Sequence, residues 1–510
     1  MLAKALTLGL LGLEAYPITI ETDLSPGLPT TTIVGLPDNA VRESRERVRA
    51  AIKNSSLNYP GGRITINLSP ADIRKEGPSF DLSIALSLLA ADGQILPSQL
   101  EGYAFLGELS LEGVLQPVAG LLSIALACGK LNLKGLIVPS ANAYQASLAQ
   151  SIPVYPARHL SEVVHFLQEK ESISPWPAPE AHIFKDTRRY SLDFADVKGQ
   201  ASVKRGLEIA AAGGHNVLLI GPPGSGKTML AKRLATILPD MTLKEILQTT
   251  QIHSVGGAIK NDNGIVTQRP VRNPHHTSSD IALIGGGTIP RPGEVSLAHN
   301  GVLFLDEIPE FNHRALEVLR QPMEDGYVTV ARAKQTHRFP ARFMLVASMN
   351  PCPCGWLGEA HKNCRCSQLE IERYQQRISG PLLDRIDMHL HVPSIKSAQL
   401  WSNDEGERSV HIKKRTVAAR QLQSTRFDNL NIACNAQMNN QHIKEFCFVT
   451  QQARDLLEKA MNTLHLSARA HHKVLKMART IADLEGVESI KTTHIAEAIE
   501  YRTLDRTNRN

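Results

Sequence analysis

Aromatic side chains make up only 5% of the 510 residues, and no stretch approaches the roughly 18 consecutive apolar residues that a bilayer-spanning helix needs. The sequence is therefore read as having no membrane span and no membrane partner. Cysteine is scarce: there are seven, an odd number, and four of them crowd between 352 and 366. That pattern excludes a disulfide-dense secreted scaffold and makes a reducing cytoplasm the expected compartment. An excess of one charge is missing too, since 56 basic residues face 50 acidic ones. A net charge of +6 permits a polyanionic partner without demanding one. What remains, 42% hydrophobic and 21% charged, is the balance of a globular protein, and the length calls for two or three domains. The apolar opening run Ala5 to Leu13 leads into Glu14 and Tyr16 without a small-residue cleavage site, so it is expected to be a buried strand and turn.

The fold class expected is multidomain α/β. Short alternating runs interleave with helical patterns at 38–55, 79–91 and 119–130, which predicts one α/β or α+β domain over 1–170. A proline-rich stretch marks a linker at 171–190. A second α/β region is expected over 191–394. Beyond 395 the strand signals vanish, and 395–510 is expected to be a helical lid, with a polar, weakly patterned insertion at about 402–445. The densest basic stretch, Arg408, Lys413, Lys414, Arg415 and Arg420, reads either as a solvated helix face or as a phosphate contact.

The apolar run Asn216 to Ile220 leads into Gly221, Pro222, Pro223, Gly224, Ser225, Gly226, Lys227 and Thr228, followed by a helical pattern. This is a complete phosphate-binding loop in its strand, loop, helix context. The glycines let successive backbone N–H groups turn toward phosphates, and the helix N-terminus adds its positive end. Lys227 is expected to reach the β and γ phosphates of ATP, and Thr228 to ligate Mg²⁺. Further on, the strand Val302 to Leu305 delivers Asp306 for the Mg²⁺ shell and Glu307 to polarise the attacking water. Another apolar strand ends at Asn350, a polar amide suited to orient that water. Directly after it, Cys352, Cys354, Cys364 and Cys366 form two C-x-C pairs that suit tetrahedral Zn²⁺, with His361 as a substitute ligand. The other reading is four reduced thiols in a loop.

Six strings go beyond a nucleotide site: RPVRNPHH at 269–276, GVLFLDEIPEF at 301–311, LRQPMEDG at 319–326, MNPCPCG at 349–355, SGPLLDRID at 379–387 and ARTIADLEG at 478–486. In these the chain resembles the AAA+ ATPases, and more narrowly the magnesium-chelatase-like group called YifB or ComM, over nearly its whole length. The resemblance implies an AAA+ core with a four-cysteine loop at 191–394 and a homohexameric ring. It implies Arg385 as an arginine finger reaching a neighbour's γ-phosphate, with Arg377 as the competing candidate, and Arg469 as a second sensor on the lid. It also implies a Lon-protease-like α+β first domain, of the kind also found in a small-subunit ribosomal protein. There Ser79 falls at the Lon nucleophile and Leu122 at the Lon lysine; a serine without its base implies an inactive domain, and Lys130 is too far along its helix to substitute.

By the same resemblance the function expected is a DNA motor, a helicase driving branch migration during natural transformation, with single-stranded and branched DNA as partners. The DNA-facing parts would be the segment at about 253–285 and the hairpin Tyr327 to Phe339, with Arg332 and Lys334 near its tip and Arg338 on its return. An ordinary surface hairpin is the plainer reading. A magnesium-chelatase subunit and a protein-remodelling ATPase are the alternatives. The role of His275 and His276 stays open.

Overall fold

The computed structural model describes the chain except residues 1, 179–190, 260–263, 288–290, 333–334, 360–361, 395–405, 431, 465 and 503–510. The side chains of 331–335 are also outside the described residues. Two compact units emerge: 1–185 together with Leu243–Thr267, and 186–242 together with 268–510.

The first unit is a seven-stranded sheet in the order Thr30–Val34, Arg63–Ser69, Glu14–Ser25, Leu2–Leu11, Tyr103–Phe105, Gly135–Pro139, Val154–Ala157. The apolar opening run lies in its central strand, which turns at Gly12 into an antiparallel partner. Side-chain alternation gives this sheet two apolar faces. Ala3, Ala5, Phe105 and Ile137 join one cluster with the helices Asn39–Asn54 and Asp81–Ala91, while Leu8, Ala104, Leu136 and Val138 join another with Leu121–Cys128 and Ser140–Ser147. Every residue of Asp81–Ala91 is buried, as befits a helix that is apolar on all sides. Its two serines lose no hydrogen bonds, because Ser83 donates to the Phe105 carbonyl at 2.6 Å and Ser87 pairs with Thr22 at 2.7 Å.

The helix Leu243–Val255 belongs to this unit although it interrupts the second in sequence. Gln251 reaches Ser123 at 3.3 Å, and the Gly120 N–H donates to Ser254 at 3.1 Å.

The second unit is built on a five-stranded parallel sheet in the order Val271–Arg272, Val302–Leu305, Met344–Met349, Val217–Ile220, Met388–His391. The strands from 302, 344 and 217 are buried at every position, the mark of a sheet covered on both faces. One face shares a continuous core with Ala201–Gly213, Lys227–Leu234 and the helical region Ser409–Arg426, Ala468–Leu484 and Thr492–Glu500. The polar stretch 402–445 thus contains an 18-residue helix, Ser409–Arg426, which buries Thr416 and Gln423 besides Ile412 and Ala419. Thr416 donates to the Ile237 carbonyl at 2.7 Å and Gln423 to the Ala212 carbonyl at 3.1 Å. A helix that docks through hydrogen-bonded polar side chains shows no apolar period.

Candidate nucleotide-binding site

All the candidate nucleotide residues gather at the carboxyl ends of the parallel strands, where sheets of this kind receive ligands. The loop from Gly221 to Thr228 leaves the strand Val217–Ile220 and enters the helix Lys227–Leu234. Gly224 and Gly226 stand at φ +77° and +92°, the left-handed region that favours glycine. A Cβ at Gly221 would lie 2.1 Å from the Val392 carbonyl oxygen, so the chain passes too close for any side chain. Gln200 braces the loop by donating to the Ser225 carbonyl at 2.8 Å.

The Lys227 ammonium donates to the carbonyls of Gly221 at 2.7 Å and Pro222 at 2.9 Å, and to Asn350 Oδ1 at 3.1 Å. Burial pushes its pKa below the usual lysine value, against the opposing pull of Asp306 and Glu307. Thr228 Oγ1 donates to Asp306 Oδ2 at 2.8 Å. The other Asp306 oxygen accepts from the Ser348 hydroxyl, which in turn accepts the Glu307 N–H at 3.1 Å. One chain of contacts therefore links the loop threonine, the acidic pair and the strand that ends at Asn350. Glu307 sits at φ +53°, a left-handed conformation that costs a non-glycine residue about 1–2 kcal/mol and that tends to collect at functional sites.

The spacing of the two candidate Mg²⁺ ligands fits an octahedral ion. Adjacent oxygens around Mg²⁺ at about 2.1 Å stand about 2.9 Å apart, and Thr228 Oγ1 and Asp306 Oδ2 are separated by 2.8 Å.

Beside these residues opens a cleft of about 420 Å³, lined by Glu307, Glu310, Asn350, Arg373, Tyr374 and Arg377, among others. Arg377 pairs with Glu310 at 3.0 Å. Burial pushes the Tyr374 hydroxyl up to about 12, so it stays protonated. Arg385 is not among the lining residues: its guanidinium is largely covered and engages Glu324 and the Pro381 carbonyl. Its Nε is buried with no hydrogen-bond partner among the described residues. Arg469, at the start of the helix Ala468–Leu484, is exposed and reaches Asp384 at 3.2 Å.

The four cysteines converge. Their sulfurs all lie within 4.8 Å of one another, an arrangement that could hold a zinc ion. His361 falls outside the described residues.

The hairpin forms as two antiparallel arms, Tyr327–Arg332 and Gln335–Pro340, with Arg332 opposite Gln335 at the tip. Lys334 and the Arg332 side chain lie outside the described residues. Arg338 is exposed and stacks its guanidinium 4.9 Å from the Tyr327 ring centroid, whereas His337 is buried. The other segment expected to face DNA, 253–285, is divided: its part up to Thr267 belongs to the first unit. Most of the basic stretch is bound within its own unit. Arg415 pairs with Glu208 and Glu407, Lys413 with Asp240 at 2.6 Å, and Arg420 donates to the Ala211 and Ala212 carbonyls. In the first unit, the Ser79 carbonyl accepts from the Gly107 N–H at 3.0 Å and Leu122 is fully buried, so the expected position of a base is occupied by packed hydrocarbon. His275 and His276 stack at 4.1 Å, and His276 meets the edge of Phe311.

Sequence reasoning passed over Ser348, Arg373, Glu310 and Gln200. Only Ser348 carried a signal, as a polar residue ending an otherwise apolar strand one position before Met349 and Asn350.

Comparison with known proteins agrees along the length of the chain. A family model described as magnesium chelatase, subunit ChlI, matches residues 193–400; two more, described as subunit ChlI of Mg-chelatase and as the subunit ChlI C-terminal part, match 20–142 and 406–502. Competence protein ComM of Haemophilus influenzae is 44% identical over 501 residues, covering 97% of this chain and 96% of that protein. YifB of Escherichia coli is 45% identical over 497 residues, with 97% and 96% covered. The magnesium-chelatase subunit ChlI of Olisthodiscus luteus is 24% identical over 263 residues, which is 46% of this chain and 71% of that one.

Proposed function

This chain belongs to the YifB and ComM family of magnesium-chelatase-like proteins, and on that premise we propose that it is an ATP-hydrolysing ring motor acting on DNA. The observation that carries the ATPase reading is the run of contacts from Thr228 through Asp306 and Ser348 to Glu307, with Lys227 and Asn350 beside it. In this reading the Gly221–Thr228 loop cradles the phosphates of ATP, Lys227 exchanges its carbonyl partners for β and γ oxygens, and Thr228 and Asp306 hold Mg²⁺. The ion would neutralise charge developing on the transferred phosphoryl group. Glu307 polarises the attacking water, and Asn350 orients it.

Arg385 acts in a neighbour's pocket. Its absence from its own subunit's cleft and its unpartnered Nε support a role completed only in an assembly, for which a homohexamer is the family form. Arg469 acts as the lid's sensor; its only partner among the described residues is the partly exposed Asp384, a pairing of the kind worth about 1 kcal/mol or less and readily exchanged.

The DNA reading is supported by the full-length likeness to a protein named for competence and by the hairpin that carries Arg332, Lys334 and Arg338. Helicase or branch-migration activity on single-stranded and branched DNA, promoting recombination in the cytoplasm during transformation, is the specific form proposed. ATPase rates with single-stranded DNA, branched DNA, polypeptide and porphyrin test it. Stimulation by DNA alone, lost in Lys227→Ala, is expected. Stimulation by porphyrin would instead establish a chelatase subunit, and stimulation by polypeptide a protein-remodelling enzyme.

A further inference from the structure

We propose that Cys352, Cys354, Cys364 and Cys366 ligate a tetrahedral zinc ion, and that this ion clamps one wall of the nucleotide cleft in place. A zinc ion with Zn–S bonds of about 2.3 Å sets its sulfurs about 3.8 Å apart. Here Cys352 and Cys354 are separated by 3.4 Å, and each lies 3.6 Å from Cys364. All four sulfurs fall within 4.8 Å of one another, and all four cysteines are free of disulfides.

The segment that carries them has little else to fold it. Among its described residues, from Pro351 to Ser367, only Cys352 and Gly355 are buried, and none belongs to a helix or strand. A stretch without an apolar core acquires its shape from a metal.

What the segment touches gives the ion its purpose. Cys352 follows the sensor residue Asn350 by two positions. The Gly355 N–H closes a turn on the Cys352 carbonyl at 3.0 Å, and that turn lies flat on the phosphate loop, since a Cβ at Gly355 would stand 2.5 Å from Pro223. Pro353 lines the cleft together with Glu307 and Asn350. At the other end, Cys366 directly precedes Ser367, whose hydroxyl caps the helix Gln368–Gln375. That helix presents Glu370, Arg373 and Tyr374 to the same cleft, and its Gln375 side chain donates to the Pro351 carbonyl at 3.3 Å. Four thiolates on one ion therefore tie the end of the sensor strand to the start of the cleft helix, across the face of the phosphate loop. The metal assignment stands on the cysteines alone; the clamp rests on the proposal that the cleft binds ATP.

The test uses the full chain, purified without metal-affinity resin. Elemental analysis is expected to give about one zinc per chain, and protein loaded with Co²⁺ should show thiolate-to-cobalt charge-transfer absorption. The double variant Cys364→Ser, Cys366→Ser should lose the metal and bind a fluorescent ATP analogue about tenfold more weakly. Cys364→His, which keeps a ligand, should retain both, and this guards against reading misfolding as metal loss. Protein without zinc, or with the visible spectrum of an iron–sulfur cluster, would overturn the site. Unchanged nucleotide affinity in the zinc-free double variant would overturn the clamp. Parent protein that holds zinc but binds no nucleotide would overturn the ATPase reading and the clamp together, leaving the metal site established.

Discussion

The strand Val217–Ile220 carries a polar cluster at each end, and the two are built on opposite terms. At its carboxyl end Lys227 rests on neutral oxygens, the Asp306 carboxylate accepts from the Thr228 and Ser348 hydroxyls, and the Glu307 backbone N–H donates to the Ser348 hydroxyl. The Lys227 and Asp306 contacts are ones that a phosphate or a metal ion could replace. At its amino end the charges answer one another. Asp387 accepts from the Asn216 N–H at 3.0 Å, lies 3.5 Å from the Lys473 ammonium and 3.8 Å from His215, and His215 is held by Thr480 at 2.8 Å. Arg502 and Lys473 both donate to the Ile386 carbonyl. Burial pushes the Asp387 carboxyl up, yet Lys473, His215 and Lys476 together hold it well below the usual range. Burial brings Lys473 down to about 8, against the pull of Asp387. One end of the strand gathers the candidate nucleotide residues, and the other fixes the helix Ala468–Leu484 and the Arg385 segment to the sheet.

The comparison breaks most sharply at Glu307. Glu307→Gln should lower ATP turnover by about 10²–10⁴-fold while leaving nucleotide binding intact and chemical denaturation within about 0.5 kcal/mol of the parent. A matching loss of stability would show that the carboxyl end is structural after all. At the amino end, Asp387→Asn leaves Lys473 buried without its anion and should cost about 3–5 kcal/mol in urea denaturation.

The pH dependence carries the sign. Asp387 contributes its stability above the unfolded carboxylate pKa of about 4, and loses it as pH falls through the depressed folded value, so parent and variant should converge in acid. Lys473 works the other way from a usual lysine. Because the unfolded chain binds its proton more tightly, stability attributable to it should rise as pH goes from about 8 toward 10.5, and Lys473→Met should remove that rise.

Ser348→Ala removes two hydrogen bonds that align Asp306 and Glu307, each worth about 1 kcal/mol, so turnover should fall about tenfold with little change in KM. The smallest effect is expected at Lys413→Ala, which deletes one partner of the exposed Asp240 and should cost about 0–1 kcal/mol. Weakened DNA binding in that variant would mark the basic helix as a phosphate contact.

The carboxyl end was legible in the sequence because its parts are local. Eight consecutive residues make the loop, and an apolar strand ending in Asp306-Glu307 announces itself. The amino end was not, since His215, Asp387, Lys473 and Thr480 come from three distant segments and no spacing rule joins them. The same holds for Ser409–Arg426, which docks through Thr416 and Gln423 rather than an apolar stripe. The four cysteines were visible as a cluster, but the packing of Gly355, which lies between them, against Pro223 is a tertiary fact. Arg415 and Lys413, which the pattern left between a solvated face and a phosphate contact, reach Glu208 and Asp240, 207 and 173 residues away.

The excursion of Leu243–Thr267 into the first unit changes how the chain can be divided. The backbone passes between the units three times, at 185–186, 242–243 and 267–268, so they are stitched rather than strung. Cleavage in the proline-rich stretch at 171–190 would leave 243–267, a part of the first unit, on the other fragment, so the two pieces would be held together only by non-covalent packing. A fragment begun at 191 would carry Ile246, Thr249, Thr250 and Ile252, buried here against the first unit, into water. Expression of either half by itself should therefore require excising or bridging 243–267, and a simple truncation should yield a sticky, aggregating product.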